Sequence, residues 1–133
     1  MAKMRIAFVC THNACRSQIA EAFARHLAGD VFESWSAGTT PKDRIDPGAV
    51  RIVKEQYGID MEAEGQYPKT LDEVPELDGI VTMGCGVQCP YVPSKWREDW
   101  GLVDPTGQED SVYLSVMEKI RSKVLELKER MGQ

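Results

Sequence analysis

The stretch Phe8-Val9-Cys10-Thr11-His12-Asn13-Ala14-Cys15-Arg16-Ser17-Gln18 decides how the rest of the chain is read. An apolar, β-prone run, Ile6-Ala7-Phe8-Val9, leads straight into Cys10, a short polar loop follows, and a helical pattern opens at Arg16-Ser17. A loop between a strand and a helix turns successive backbone N–H groups inward, and the positive end of the helix dipole adds to them. That geometry suits a tetrahedral oxyanion. The same field favours thiolate over thiol at Cys10, which makes its sulfur a nucleophile. Arg16 offers a planar fork for two oxygens of the anion. Ser17 is placed to hydrogen-bond the sulfur, Asn13 to brace the loop, and Thr11, His12, Ala14 and Cys15 to lend their backbone.

Working outward, residues 4–9 read as a strand buried on both faces. Residues 16–28 read as a helix with Ile19, Ala20, Phe23, Ala24 and Leu27 inward, Glu21 and Arg25 outward, and Gly29-Asp30 as its stop. Phe32 to Ser36 is a second strand. Asp46-Pro47 is a helix start, an N-cap followed by proline in the first turn, and Gly58 ends that helix. A short strand near Gln66-Tyr67 and one helical turn near Leu71 are expected next. Gly79 to Met83 forms a third strand, a fourth falls near Glu98-Asp99-Trp100, and residues 109–131 carry apolar positions at steps of four and three, a long amphipathic helix. Strands alternating with helices predict an α/β fold: a three-layer, four-stranded parallel sheet with helices on both faces. Ligands of such sheets bind at the carboxyl ends of the strands. Cys10, Cys85 and Asp104 each follow a predicted strand, so the fold brings them to one edge.

The 133 residues suit one domain, 1–133, with a real core. A net charge of −5 argues against nucleic acid, so any anion site is built locally. Only four apolar residues follow Lys3 and Arg5, too few for a signal peptide, and no run spans a membrane, so a cytoplasmic, monomeric protein is expected. In that reducing compartment the four cysteines read as chemistry rather than a disulfide framework. A zinc site on them is disfavoured because Cys10 and Cys15 belong to the anion loop, so no metal centre is expected. Cys85 and Cys89 are separated by three residues, one turn apart if helical, and local unwinding lets them pair as a disulfide. Asp104, before Pro105 in a loop after a strand, reads as a turn residue or as a general acid at the same edge.

Taken together these marks resemble the low-molecular-weight protein tyrosine phosphatase superfamily: Cys10 to Ser17 matches its Cys-x5-Arg-Ser loop, and Asp104-Pro105 its late acid. The resemblance runs along the chain. It is closer to the arsenate reductases of that fold, on Cys15-Arg16-Ser17-Gln18, Ser36-Ala37-Gly38, Val81-Thr82-Met83-Gly84-Cys85, Cys89-Pro90 and Trp100-Gly101. Thr106 stands where the phosphatases typically carry tyrosine, and His12 where many relatives have glycine. The resemblance implies reduction of arsenate to arsenite by Cys10, with oxidation passed through Cys85 and Cys89 to thioredoxin or a low-molecular-weight thiol. It leaves a plain phosphatase as the alternative. The Cys85 to Cys89 spacing is shorter than in well-known thioredoxin-coupled members, and Met83-Gly84-Cys85-Gly86 is similar to reductases using an external thiol. It also implies a raised pKa at Asp104, mobility over residues 84–92 and, as in some relatives, potassium near Asn13, Glu21 and Ser36; no other cofactor is implied.

Overall fold

The computed structural model describes residues 3–84 and 95–132. β1 (Met4–Cys10) leads through the Cys10 loop to α1 (Arg16–Ala28), β2 (Phe32–Gly38) and α2 (Pro47–Tyr57). A 3-10 turn at Leu71–Glu73 precedes β3 (Gly79–Thr82), then β4 (Trp96–Asp99) and α3 (Asp110–Met131). The strands form one sheet in the order β2-β1-β3-β4, all parallel, with Phe8 opposite Ser36 on one side and Val81 on the other. The chain leaves β1 toward β2 and then crosses back to β3, so the sheet reverses direction beside β1. Cys10 is the last residue of β1 and lies at that switch point.

One face of the sheet presents Ile6, Phe8 and Val81 to a core shared with all three α-helices, where Ile19, Phe23, Ile52, Val53, Ile120 and Val124 are buried. The other face presents Ala7, Val9 and Ile80, packed against Trp35, Leu71 and Leu77. Helical structure therefore lies on both faces: a three-helix layer on one and, among the described residues, a single 3-10 turn on the other. Phe8 and Trp100 pack with ring centroids 5.4 Å apart, tying the floor of the loop to the segment after β4.

Three local expectations are corrected. No strand forms at Gln66-Tyr67. The Gln66 amide side chain instead donates to Gln18 O and Oε1 (3.0 and 2.9 Å), and the chain here runs as an irregular brace rather than a ladder. Asp46 does sit at the start of α2, but its side chain makes no cap bond there; it accepts the hydroxyl of Tyr113 on α3. Glu21 is buried at 2% exposure rather than facing outward, because it has ionic and hydroxyl partners inside the fold.

Candidate active site

The loop from Cys10 to Arg16 owes its shape to donors outside it. The carbonyls of five successive residues are all turned away from the centre. Thr11 O accepts from Thr40 N (2.8 Å), His12 O from Lys42 N (3.1 Å) and Ala14 O from Asp46 N (2.7 Å). Cys15 O accepts from Ile19 N at 3.0 Å, and Asn13 O from Gln18 Nε2 at 3.0 Å. A peptide whose carbonyl points out points its neighbouring N–H in. Among the described residues the amides of His12, Ala14, Cys15 and Arg16 donate to no backbone carbonyl. Donors gathered around one point at a helix start make an anion cradle. Asn13 takes the left-handed conformation this curl needs (φ 49°). Gly38 lies so close that a Cβ there would meet Thr11 O at 2.8 Å and Asn13 N at 2.9 Å, which leaves no room for another residue type.

Cys10 Sγ lies at the base of the cradle, 3% exposed. It receives the Asn13 N–H at 3.2 Å and lies 2.9 Å from Ser17 Oγ, which in turn accepts from Asn13 Nδ2 at 2.8 Å. Sequence reasoning reached Ser17 as a partner of the sulfur, and Asn13 only as a brace of the loop. Arg16 is anchored by Nη1, which donates to Met83 O (2.6 Å) and Leu102 O (2.8 Å). That fixes the guanidinium plane over the cavity and, among the described residues, leaves Nε and Nη2 for an anion. The cavity is lined by Cys10, Ala14, Arg16, Lys42, Asp104 and Thr106, among others, so Asp104 does reach the same edge. A larger groove of about 300 Å³, beside Arg25 and Trp35, is lined by no cysteine. Cys85 and Cys89 lie outside the described residues, as does most of the 84–92 stretch.

One neighbour differs from expectation. Burial on its own would raise the Asp104 carboxyl, but the Thr106 hydroxyl and amide (2.7 and 3.1 Å), with the charges of Arg16 and Lys42, more than offset it. The group is held below the usual carboxylate range, not above it as expected. The causes are the Thr106 hydrogen bonds first and then the charges of Arg16 and Lys42, and a bound oxyanion would partly cancel those charges. Cys15 is buried, and that burial, with Asp46 and Asp104 nearby, drives its thiol well above the usual range, which suits a residue that packs and lends the loop its backbone. His12 Nδ1 lies 3.1 Å from Thr40 O at the exposed rim.

Lys42 and Thr106, which line the cavity, and Lys69, whose N–H holds Asn13 Oδ1 at 3.0 Å, are contributors that sequence reasoning missed. Lys42 and Lys69 carry no local pattern, since each is brought in by a distant part of the chain. Thr106 did have a signal, two residues beyond Asp104 where a hydroxyl closes an Asx-type turn. Removing that hydroxyl by Thr106→Val is expected to raise the carboxyl toward its ordinary range. An acid works only while protonated, so its contribution is lost as pH rises through its pKa. The variant's alkaline limb for p-nitrophenyl phosphate hydrolysis therefore moves to higher pH. At pH 7 the rate should rise about twofold to fivefold, the lower end reflecting solvent screening.

A thiol at the base of an amide-lined loop, with an arginine closing it at a sheet's switch point, defines the Cys-x5-Arg class of oxyanion-binding proteins. The family model for low molecular weight phosphotyrosine protein phosphatases matches residues 5–133, and the chain belongs to that family. Within it, the chain is 33% identical over 123 residues to the glutaredoxin arsenate reductase of Synechocystis, covering 90% of this chain and 92% of that one. An arsenate reductase solved in the phosphate binding state superposes with a TM-score of 0.84 at 32% identity, covering 96% of this chain and 98% of that one. A thioredoxin-dependent arsenate reductase of Corynebacterium glutamicum superposes with a TM-score of 0.77 at 32% identity, covering 98% of this chain and 63% of that one.

Proposed function

We propose that this protein reduces arsenate to arsenite, with Cys10 as nucleophile and Cys85 and Cys89 as the relay. The observation that carries the reading is the ring of outward carbonyls, which leaves amides aimed at one anion-sized point above a thiol. Its arsenate reductase relatives support the choice of anion. Arsenate enters the loop; amides and the free edge of Arg16 take its oxygens, in place before the charge of the transition state develops. The Cys10 thiolate attacks arsenic, and one oxygen leaves as water, taking a proton from Asp104 once the bound anion has raised that group. The Cys85 thiolate then attacks the Cys10 sulfur. The sulfur–arsenic bond breaks, its electron pair stays on arsenic, and arsenite departs as the Cys10–Cys85 disulfide forms. Cys89 displaces Cys10 from Cys85, moving the disulfide away from the loop. A dithiol protein such as thioredoxin or glutaredoxin, or a low-molecular-weight thiol, reduces it. Among the described residues no helix is long and apolar enough to cross a membrane. The proposed setting is the cytoplasm, with the protein acting as a monomer.

The deciding assay is arsenate-dependent NADPH oxidation, run in parallel with thioredoxin and thioredoxin reductase or with glutaredoxin, glutathione and glutathione reductase. Hydrolysis of p-nitrophenyl phosphate is measured on the same preparation. Turnover with either reductant supports the reading. Hydrolysis with no arsenate turnover in either system replaces it with a phosphatase. Within the reading, Arg16→Lys is expected to lower kcat/KM for arsenate roughly 10²-fold or more, because one ammonium cannot hold the two carbonyls and also present a fork to the anion.

A further inference from the structure

Behind the loop lies a buried ionic cluster that the reaction does not touch. Glu21, on α1, is 2% exposed and Lys69 is 6% exposed. Lys69 Nζ is 3.8 Å from Glu21 Oε1, donates to Tyr67 O at 3.1 Å and sits 4.8 Å from the centre of the Tyr67 ring. The Ser36 hydroxyl donates to the same carboxylate oxygen, and Arg25 takes the other. Asn13 Oδ1 is also committed, accepting from Lys69 N at 3.0 Å and Gln18 Nε2 at 3.1 Å.

Asn13, Glu21 and Ser36 are the positions where resemblance implied potassium, and here they do not fit it. A bare cation needs oxygen lone pairs, yet both oxygens of Glu21 and the amide oxygen of Asn13 are already taken. The carboxylate also already faces two full positive charges, Arg25 and Lys69, so a third would meet repulsion. We propose that the Lys69 ammonium is the permanent cation of this loop, a positioning group that makes the protein independent of potassium.

The mechanical link is short. The ammonium, drawn to Glu21, fixes the segment at residues 66–70. The Lys69 backbone then grips the loop on two sides: its N–H holds Asn13 Oδ1, and its carbonyl accepts Gly38 N at 2.8 Å. Asn13 passes the constraint to Ser17, and Ser17 to the Cys10 sulfur. Removing the charge loosens the segment, then Asn13, then the amide that faces the sulfur.

The test uses the full chain in choline, sodium or potassium chloride at equal ionic strength. Three rates are read: arsenate turnover, p-nitrophenyl phosphate hydrolysis, and alkylation of Cys10 by iodoacetamide at pH 7, followed by peptide mass spectrometry. The alkylation rate needs no activity, so the proposal stands or falls separately from arsenate reduction. The unmodified protein is expected to vary less than about twofold among the three salts. Lys69→Ala, which opens a hole beside Glu21, is expected to lose about tenfold in all active rates in choline and to regain most of it as potassium fills the hole. Lys69→Met fills the space without charge and is expected to lose as much with no recovery. Saturable activation of the unmodified protein by potassium would overturn the proposal, and that arm needs no variant to fold. So would a Lys69→Ala protein as reactive in choline as the parent, or one impaired equally with Lys69→Met in every salt.

Discussion

The Cys10→Ser substitution is expected to lower arsenate turnover by roughly 10⁴-fold or more, to background, and p-nitrophenyl phosphate hydrolysis with it. A serine hydroxyl stays protonated near neutrality where a thiol can ionise, and it cannot form the sulfur–sulfur bond that carries electrons to arsenic. One property that a serine leaves intact makes the experiment informative. The carbonyls of the loop are held outward by Thr40, Lys42, Asp46 and Gln18, none of which bonds the Cys10 side chain. Anion binding is therefore expected to survive. Arsenate or phosphate at about 100 times its dissociation constant would still stabilise the variant by about 2.7 kcal/mol, visible as a raised melting temperature. A variant that reduces arsenate at more than a trace would remove the sulfur from its proposed role. One that no longer binds the anion would show that the sulfur helps to build the cradle.

Cys85→Ser is expected to have nearly as large an effect on one activity and almost none on the other. With no second thiol to attack Cys10, catalytic reduction of arsenate falls to background in both reductant systems. Phosphate ester hydrolysis needs only Cys10, Arg16, an acid and water, and is expected to stay within about twofold of the parent. Cys89→Ser divides the reductants. Turnover with thioredoxin is expected to be lost, whereas a small thiol that reaches the Cys10–Cys85 disulfide itself keeps the cycle running. The measurements are arsenate-dependent NADPH oxidation and p-nitrophenyl phosphate hydrolysis on each variant. If Cys85→Ser reduces arsenate at the parent's rate, the electrons leave by another route and the relay is wrong.

The fold was legible where periodicity and chain direction suffice. A β-prone run ending in cysteine, followed by a helix-patterned segment, placed β1, the loop and α1 within a residue or two of their observed bounds. Asp46 and Glu21 were misread for one reason. Patterning assigns a charged side chain to solvent or to a local cap, whereas both are satisfied by partners far along the chain: Tyr113 for Asp46, and Ser36 and Lys69 for Glu21. The short strand expected near Gln66-Tyr67 does not form because the hydrogen bonds of this segment go to Gln18, Asn13 and Gly38 rather than to a neighbouring strand. Asp104 was located correctly and its charge misjudged. Position follows from the order of strands, while the ionisation of a carboxyl follows from neighbours such as Thr106 and Lys42 that no spacing rule reveals.

The outward carbonyls of the loop are anchored by partners from separate regions: the segment after β2, the start of α2 and the body of α1. No one of those regions can melt by itself without letting go of part of the ring. Catalytic competence is thus wired to the cohesion of the entire domain. On warming, the capacity to capture an anion should vanish together with the domain's cooperative transition instead of fading ahead of it as a detachable flap would.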